Sequence, residues 1–139
     1  METIIEFKKD EQFDKMYVKD CQFVHKDLKH LSAYVRKTLN CQFIKCDLMY
    51  ANFIKNDVEN CEFTNCNLAL SSFQSASLDN VTFHNCDFDY SDLSYINFSK
   101  LKFIKCDFDN ACIDETILKL LNEHKCFENC RNLNHIVFE

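Results

Sequence analysis

No glycine, proline or tryptophan occurs anywhere in the 139 residues. Without glycine the backbone cannot close on a pyrophosphate, so glycine-rich phosphate cradles are excluded. Long hydrophobic runs are also missing: nothing reaches the roughly 18 apolar residues of a membrane span. The opening METIIEFKKDEQF lacks the apolar stretch of a secretory signal. The expectation is a cytoplasmic protein that does not engage a membrane. Positive charge is scarce, 16 Lys plus Arg against 22 Asp plus Glu for a net −6, which argues against direct nucleic-acid binding by phosphate neutralisation. Hydrophobic residues (47%), aromatics (14%) and ten cysteines are abundant. That is ample material for one domain and too much aromatic surface for a disordered chain.

The spacing of the cysteines decides what they are for. Cys21, Cys41 and Cys61 lie 20 apart, and so do Cys46, Cys66, Cys86 and Cys106. Such spacing marks an internal repeat rather than a disulfide-stapled miniature domain. Side chains stacked in parallel register lie about 4.8 Å apart, wider than the roughly 3.5 to 4.5 Å between Cβ atoms that a bridge prefers. These cysteines therefore read as small, reduced, hydrophobic packing residues.

Beneath the 20-residue spacing lies a period of five. From Phe13 through Phe23, Phe43, Phe63 and Phe83 to Ile113, 20 of the 21 positions in this phase are apolar, Thr38 being the exception, and 11 of the 14 Phe fall there. Two residues earlier each pentad carries something small or apolar, as at Cys46, Ala51, Cys66, Ser71, Ala76 and Cys86. Steps of five make no stripe on a helix and alternate faces on a strand. The chain must therefore turn a corner once per pentad. Four corners close a square, so one coil is 20 residues, and successive coils stack at strand spacing. The fold class this predicts is an all-β solenoid.

Pentads beginning Cys46-Asp47-Leu48, Ala51-Asn52-Phe53, Cys66-Asn67-Leu68, Cys86-Asp87-Phe88, Ser91-Asp92-Leu93 and Cys106-Asp107-Phe108 resemble the pentapeptide repeat family, whose loose consensus is Ala-(Asp/Asn)-Leu-x-x. The resemblance covers residues 11–113 and implies a right-handed quadrilateral β-helix of about five coils, with residues 1–10 as an N-terminal cap. Glycine, usual at the family's turns, is absent here. Asn40, Asn60, Asn65, Asn80, Asn85 and Asn110 take the last place of their pentads, where a short amide can cap a turn. Lys26, Arg36 and Asn56 occupy the small inward position, where buried charge or polarity is costly. Residues 26–40 are expected to form an irregular, locally bulged coil with the long stems reaching solvent.

A solenoid exposes its interior at both ends. Ile4, Ile5 and Phe7 are expected to cover one. At the other, residues 114–139 form a capping or dimerising unit. Ile117, Leu120, Leu121 and His124 follow i, i+3, i+4, i+7 spacing after Asp114 as N-cap, which predicts an amphipathic helix. Leu133, Ile136 and Phe138 continue the repeat beyond it, on this chain's own coil or on a partner's. Similarity to the quinolone-resistance members implies a homodimer through the C-terminal segment, with Ile117, Leu120, Leu121, Ile136 and Phe138 as dimerisation candidates.

For chemistry the sequence offers little. His124, Cys126, Cys130 and His135 are zinc-ligand types in a spacing that is no standard finger, and both cysteines serve equally as packing. The other histidines are scattered and the repeat juxtaposes no nucleophile and base, so neither an enzyme nor a cofactor is expected. The walls carry more. Asp27, Asp47, Asn67, Asp87 and Asp107 stack at 20-residue intervals, with Asp89 and Asp109 two residues along. This column is either a solvated face or a surface for a basic partner. It resembles the DNA-mimicking family members, which implies DNA gyrase or topoisomerase IV as a protein partner. Against this, a rod of five coils is about 24 Å long, a length over which duplex DNA shows about 14 charges. Tyr50, Leu70 and Tyr90 stack on an outward position, with Met49, Ile54 and Ala69 beside them, as an apolar ridge that either covers a turn or binds a partner. The reading is a non-catalytic interaction or structural module, with topoisomerase binding by DNA mimicry as the alternative.

Overall fold

The computed structural model describes residues 2–4, 17–31 and 37–138. They form a parallel β-solenoid of about five turns. Its strands are β1 (Glu2–Ile4), β2 (Tyr17–Lys19), β3 (Cys21–Val24), β4 (Lys37–Leu39), β5 (Gln42–Ile44), β6 (Asp57–Thr64), β7 (Ser77–His84), β8 (Asn97–Ile104) and β9 (Phe127–Glu128); among the described residues an α-helix, α1 (Glu115–Glu123), lies between β8 and β9, and a 3-10 turn (Leu133–His135) follows. From β2 to β8 every pairing is parallel with an offset of 20: Gln22 on Gln42, Phe43 on Phe63, Val58 on Leu78, Phe83 on Phe103. Isolated bridges extend the same register to the other two sides, through Asp47, Asn67 and Asp87 on one and Asn52, Ser72 and Asp92 on the other.

The corners replace glycine with strained ordinary residues. Among the described residues every fifth position from Asp20 to Asn110 has φ between 52° and 62°. A left-handed residue costs roughly 1 to 2 kcal/mol unless it is glycine or, in part, Asn or Asp. Six corners are Asn, but His25, Lys45, Tyr50, Lys55, Leu70, Ser75, Tyr90, Tyr95, Lys100 and Lys105 accept the strain. The ladder holds them there, since corner N–H groups donate to the next coil, as Asn40 does to the Glu59 carbonyl at 2.9 Å and Lys55 to Gln74 at 2.9 Å. Asparagine adds a side-chain rung: Asn80 donates to Asn60 at 2.8 Å and Asn85 to Asn65 at 2.7 Å. Lys105 follows Asn85 in its column. Lys105→Asn should extend that ladder and relieve the backbone, raising stability by about 0.5 to 1 kcal/mol, measured as a rise in Tm of about 2 to 4 °C.

Inside, aromatic rings stack coil upon coil. Phe43 and Phe63 lie 4.6 Å apart and 3° from parallel, Phe53 and Phe73 4.8 Å and 5°, Phe88 and Phe108 5.2 Å and 1°. Rings from adjoining sides of the square meet edge to face, as Phe63 does with Phe73 at 6.3 Å and 84°. The small residues fill the interior corners. Cys46, Cys66, Cys86, Cys106 and Cys130 each donate Sγ to the carbonyl of a Phe on the preceding coil, at 3.2 to 3.3 Å. All ten cysteines are free. Contact with the Cys106 thiol, together with burial, holds Cys86 above the ordinary thiol range and keeps it protonated.

Two departures from the repeat cancel each other. Thr38, the polar member of the central phase, and Asn56, the amide at a small inward position, are both fully buried, and Thr38 Oγ1 donates to Asn56 Oδ1 at 3.0 Å. Thr38→Val should cost about 1 to 3 kcal/mol by removing a donor from a buried acceptor, whereas Thr38→Val combined with Asn56→Ala should recover most of that loss. Thermal melts of the double-mutant cycle measure the coupling.

The expected bulge over 26–40 is not seen in its described part. Asp47 N–H donates to Lys26 and His30 to Met49, while Lys37 pairs with Asp57 in the common register. Arg36 lies outside the described residues. So do Phe13, Ile5 and Phe7. The chain of Ile4 pairs beside Phe23.

Candidate interaction surfaces

The second place of the pentad is Asp or Asn because its side chain holds the turn. Asp27, Asp47, Asn67, Asp87 and Asp107 each accept the backbone N–H two residues on, at 2.8 to 3.1 Å, in turns closed by bonds such as Ala51 N–H to Leu48 C=O at 3.0 Å. The left-handed third residue of these turns is the one type II requires. The five residues are bridged directly to one another on consecutive coils. The sequence-derived column is thus brought together, but its carboxylates have a structural duty.

Its charge is partly neutralised from within the chain. Lys29 Nζ lies 3.9 Å from Asp27 and 3.8 Å from Asp47. At the far end the tail supplies Arg131 Nε at 3.8 Å from Asp107, Asn132 Nδ2 at 2.8 Å from Asp107, and His135 Nδ1 at 2.8 Å from Asp109. Asp89, between Asp87 and Asp107, is raised to about 7 by desolvation first, then by its contact with Asp87 and the charges of Asp87 and Asp107. One of its oxygens is buried without a partner. A carboxyl whose folded pKa exceeds its unfolded value near 4 costs stability as it ionises, so the loss begins above pH 4 and is complete above pH 7. Asp89→Asn should therefore gain in Tm over the native chain as pH rises from 4 to 8, a gain that thermal melts across that range would read.

The apolar ridge occupies the next corner. Tyr50, Leu70 and Tyr90 sit on consecutive coils with left-handed backbones, 47%, 41% and 62% exposed. Their N–H groups donate in turn to the carbonyls of Ala69, Asp89 and Asp109. Sequence reasoning missed one further member, His30, and an exposed aromatic at the neighbouring corner, Tyr95. The His30 ring stacks on Tyr50 at 4.8 Å and 4° from parallel, and Tyr95, at the following corner of the same coil as Tyr90, is 57% exposed. The five-residue phase already held both, since each is a multiple-of-five corner. Of the flanking residues, Met49 is half-buried and Ala69 buried, while Ile54 is exposed, so the ridge is formed by the corner residues with Ile54 beside them.

Residues 37–113 match the family described as pentapeptide repeat region. This chain belongs to the pentapeptide repeat family. Among solved structures, a pentapeptide repeat protein of the Arabidopsis thaliana thylakoid lumen superposes with a TM-score of 0.75 at 13% identity, over 84% of this chain and 81% of that one. A pentapeptide repeat protein, Rfr23, from the cyanobacterium Cyanothece 51142 gives 0.44 at 8% identity, with 88% of each chain covered. Full-length QnrB1, a plasmid-mediated fluoroquinolone resistance protein, gives 0.35 at 10%, over 99% of this chain and 89% of that one. No curated protein matches. The thylakoid-lumen likeness establishes the pentapeptide repeat fold, and the other two carry no argument.

The end of the pentapeptide solenoid is closed by its own chain. In α1, Leu121 is fully buried, and Ile117 and Leu118 pack on the core. Asp114 stands at the N-cap position but makes no side-chain cap. Its Oδ1 instead accepts the Tyr95 N–H at 3.0 Å. Coil by coil, that corner donates to a carbonyl, Lys55 to Gln74 and Ser75 to Ser94, but the Asp114 carbonyl is taken by Leu118 within the helix. The carboxylate takes the carbonyl's place.

Beyond α1 the tail lies on this chain's own last coil. Phe127 pairs with Phe103 and Arg131 bridges Asp107, an offset of 24, and Val137 bridges Cys112, an offset of 25. Of the dimerisation candidates, Leu121 is thus in the core, Ile117 and Ile136 pack on it, and Leu120 and Phe138 are exposed. The zinc candidates are dispersed: Cys126 is buried, Cys130 donates to the Phe103 carbonyl, His124 faces Phe98 edge to face, and His135 holds Asp109. Among the described residues no three metal-ligating side chains converge, and no helix is long and apolar enough to cross a membrane.

Proposed function

We propose that this chain is a non-catalytic protein-binding module whose contact edge is the ridge of Tyr50, Leu70 and Tyr90, joined by Tyr95. The observation that carries this reading is the alignment of exposed aromatic and aliphatic side chains at strained corners on consecutive coils. A scattered exposed residue needs no explanation, but a continuous ridge does. The aspartate column runs along its flank, so the partner surface is apolar with basic neighbours. The test replaces Tyr90 with a photo-crosslinking phenylalanine in cells, with Thr82 on a different side of the solenoid as control. A discrete adduct from position 90, lost on Leu70→Asp and absent from position 82, supports the reading. Identical adducts from both positions, or none, defeat it.

A second reading rests on the bridged aspartate ladder, which invites DNA mimicry toward gyrase or topoisomerase IV. Changing Asp87, Asp89, Asp107 and Asp109 to Asn preserves the turns, since Asn67 already makes the same bond. Titration into a gyrase supercoiling assay then isolates the charge. Inhibition or drug protection at low micromolar protein that vanishes in the tetra-Asn variant favours mimicry. Absence of effect at tens of micromolar removes it. The module is read as a cytoplasmic homodimer, supported by the ten free thiols and by Leu120 and Phe138 exposed at the C-terminal end. Light scattering that gives the mass of one chain would reject the dimer.

A further inference from the structure

The cleft between α1 and β8 has the chemistry of a small-ligand site. A strand of the next coil would lie about 4.8 Å from β8, but a helix with its side chains is about 10 Å across and cannot lie flush. The result is a cleft of about 450 Å³, within the range that holds small organic ligands. Phe98, Ile117 and Leu120 give it apolar walls, and Lys100, Lys102 and His124 stand around it. No acidic side chain lines it, in a chain of net charge −6. On the two preceding coils of the same side, Val58 and Leu78 are fully covered by the following coil, whereas Phe98 in the same column is only partly buried.

The backbone adds a specific feature. In the ladder, residues of the central phase and of the corners donate their N–H to the following coil, as Leu48 does to Asn67 at 2.8 Å and Asn40 to Glu59 at 2.9 Å. Phe98 and Lys100 hold these two places on β8. Yet β9 pairs with β8 only at Phe103 and Ile104, so no strand receives their N–H groups. The same orphaned edge begins at Tyr95, where the chain has supplied a carboxylate, that of Asp114. Phe98 is half-buried and Lys100 exposed, so these N–H groups, which no strand pairs, are open to an acceptor brought by a ligand, and two lysines beside them favour a negative one. Lys102 Nζ already donates to the Lys125 carbonyl at 2.9 Å, which fixes its ammonium at the cleft with donors to spare.

We propose that this cleft binds a small amphipathic monocarboxylate. Its carboxylate meets the Phe98 and Lys100 N–H edge and the two ammonium groups, and its apolar body lies between Phe98, Ile117 and Leu120. The site is on a different side of the solenoid from the ridge and is independent of the protein-binding reading.

The experiment titrates 4-phenylbutyrate into the full chain, followed by calorimetry and by amide NMR. Saturable one-site binding with Kd below about 1 mM, with the largest shifts at the Phe98 and Lys100 amides, is expected. Lys100→Glu should weaken it at least tenfold, as should replacing the acid by its uncharged amide. Lys100→Gln, which keeps the stem without the charge, should fall between. Native-like melting of each variant is checked alongside, and if Lys100→Glu fails to fold, Lys100→Gln and the amide decide. No saturation up to about 10 mM, equal binding of acid and amide, or shifts confined to residues away from the cleft would overturn the proposal.

Discussion

Phe63→Ala is expected to lower stability by about 3 to 5 kcal/mol and Tm by roughly 10 to 20 °C. Phe63 is fully buried in the middle of the solenoid. Its ring stacks on Phe43 at 4.6 Å and on Phe83 at 4.8 Å, and meets Phe53 and Phe73 edge to face at 6.2 and 6.3 Å. No neighbour can relax into the space, because each is held by the register of its own coil, so the cavity persists. The comparison is Phe127→Ala. That ring is only partly buried and stacks on Phe103 alone, at 5.5 Å, with an edge contact to Phe108. Its loss should cost well under half as much. Equal losses at the two positions, measured by thermal or denaturant unfolding, would show that the stack is not a source of stability in proportion to its contacts.

Most of this architecture can be read from the sequence because the repeat is a physical constraint with one solution. A period of five has no place on a helix or a flat strand, and among the described residues the central Phe and Leu are where the spacing puts them. What could not be read follows from the same logic. The left-handed backbone at Lys45, Tyr90 or Lys105 leaves no compositional trace, because the ladder and not the residue imposes it. Thr38 and Asn56 each look like an error until the fold sets them 18 residues apart in sequence and 3.0 Å apart in space. The tail is legible only in part. Ile136 and Phe138 do return to the five-residue phase through the offset of 25, but between them and α1 the helix has advanced the register to 24, and a helix's length in coil units is not written in a pentad pattern. The candidate surfaces divide in the same way. The sequence shows that the aspartates stack; it does not show that they staple turns or that Arg131 and His135 come back to meet them. Asp114 reads as a helix cap, and its carboxylate is spent on the orphaned N–H of Tyr95.

Removing one residue should do more damage than removing twenty. Deletion of 61–80 takes out a whole coil, so that Asn60 joins Val81 and coil 41–60 stacks directly under coil 81–100. Phe43 then meets Phe83, Cys46 meets Cys86 and Leu48 meets Phe88, all pairs of the kind that the solenoid already stacks. Each coil touches only its neighbours, and the variant loses one set of neighbour contacts while leaving both ends of the solenoid unchanged. Deleting Asn80 alone shifts everything after it by one place. Either Val81, Phe83 and Cys86 leave the interior and polar neighbours enter, or one corner must stretch to absorb the slip and break the pairing of the eight-residue strands β6 and β7. Both routes bury polar groups without partners or open a cavity beneath Phe63, and each such fault costs several kcal/mol. Among the described residues the register departs from 20 only outside the stacked middle coils, to 19 where β1 pairs with β3 and to 24 and 25 beyond α1. The 20-residue deletion should thus keep a cooperative melt and the β-rich circular dichroism of the native chain, while the Asn80 deletion should lose more than about 10 °C of Tm or fail to fold. The reverse order would mean that the chain is held by individual side-chain contacts, and not by the count of residues around the square.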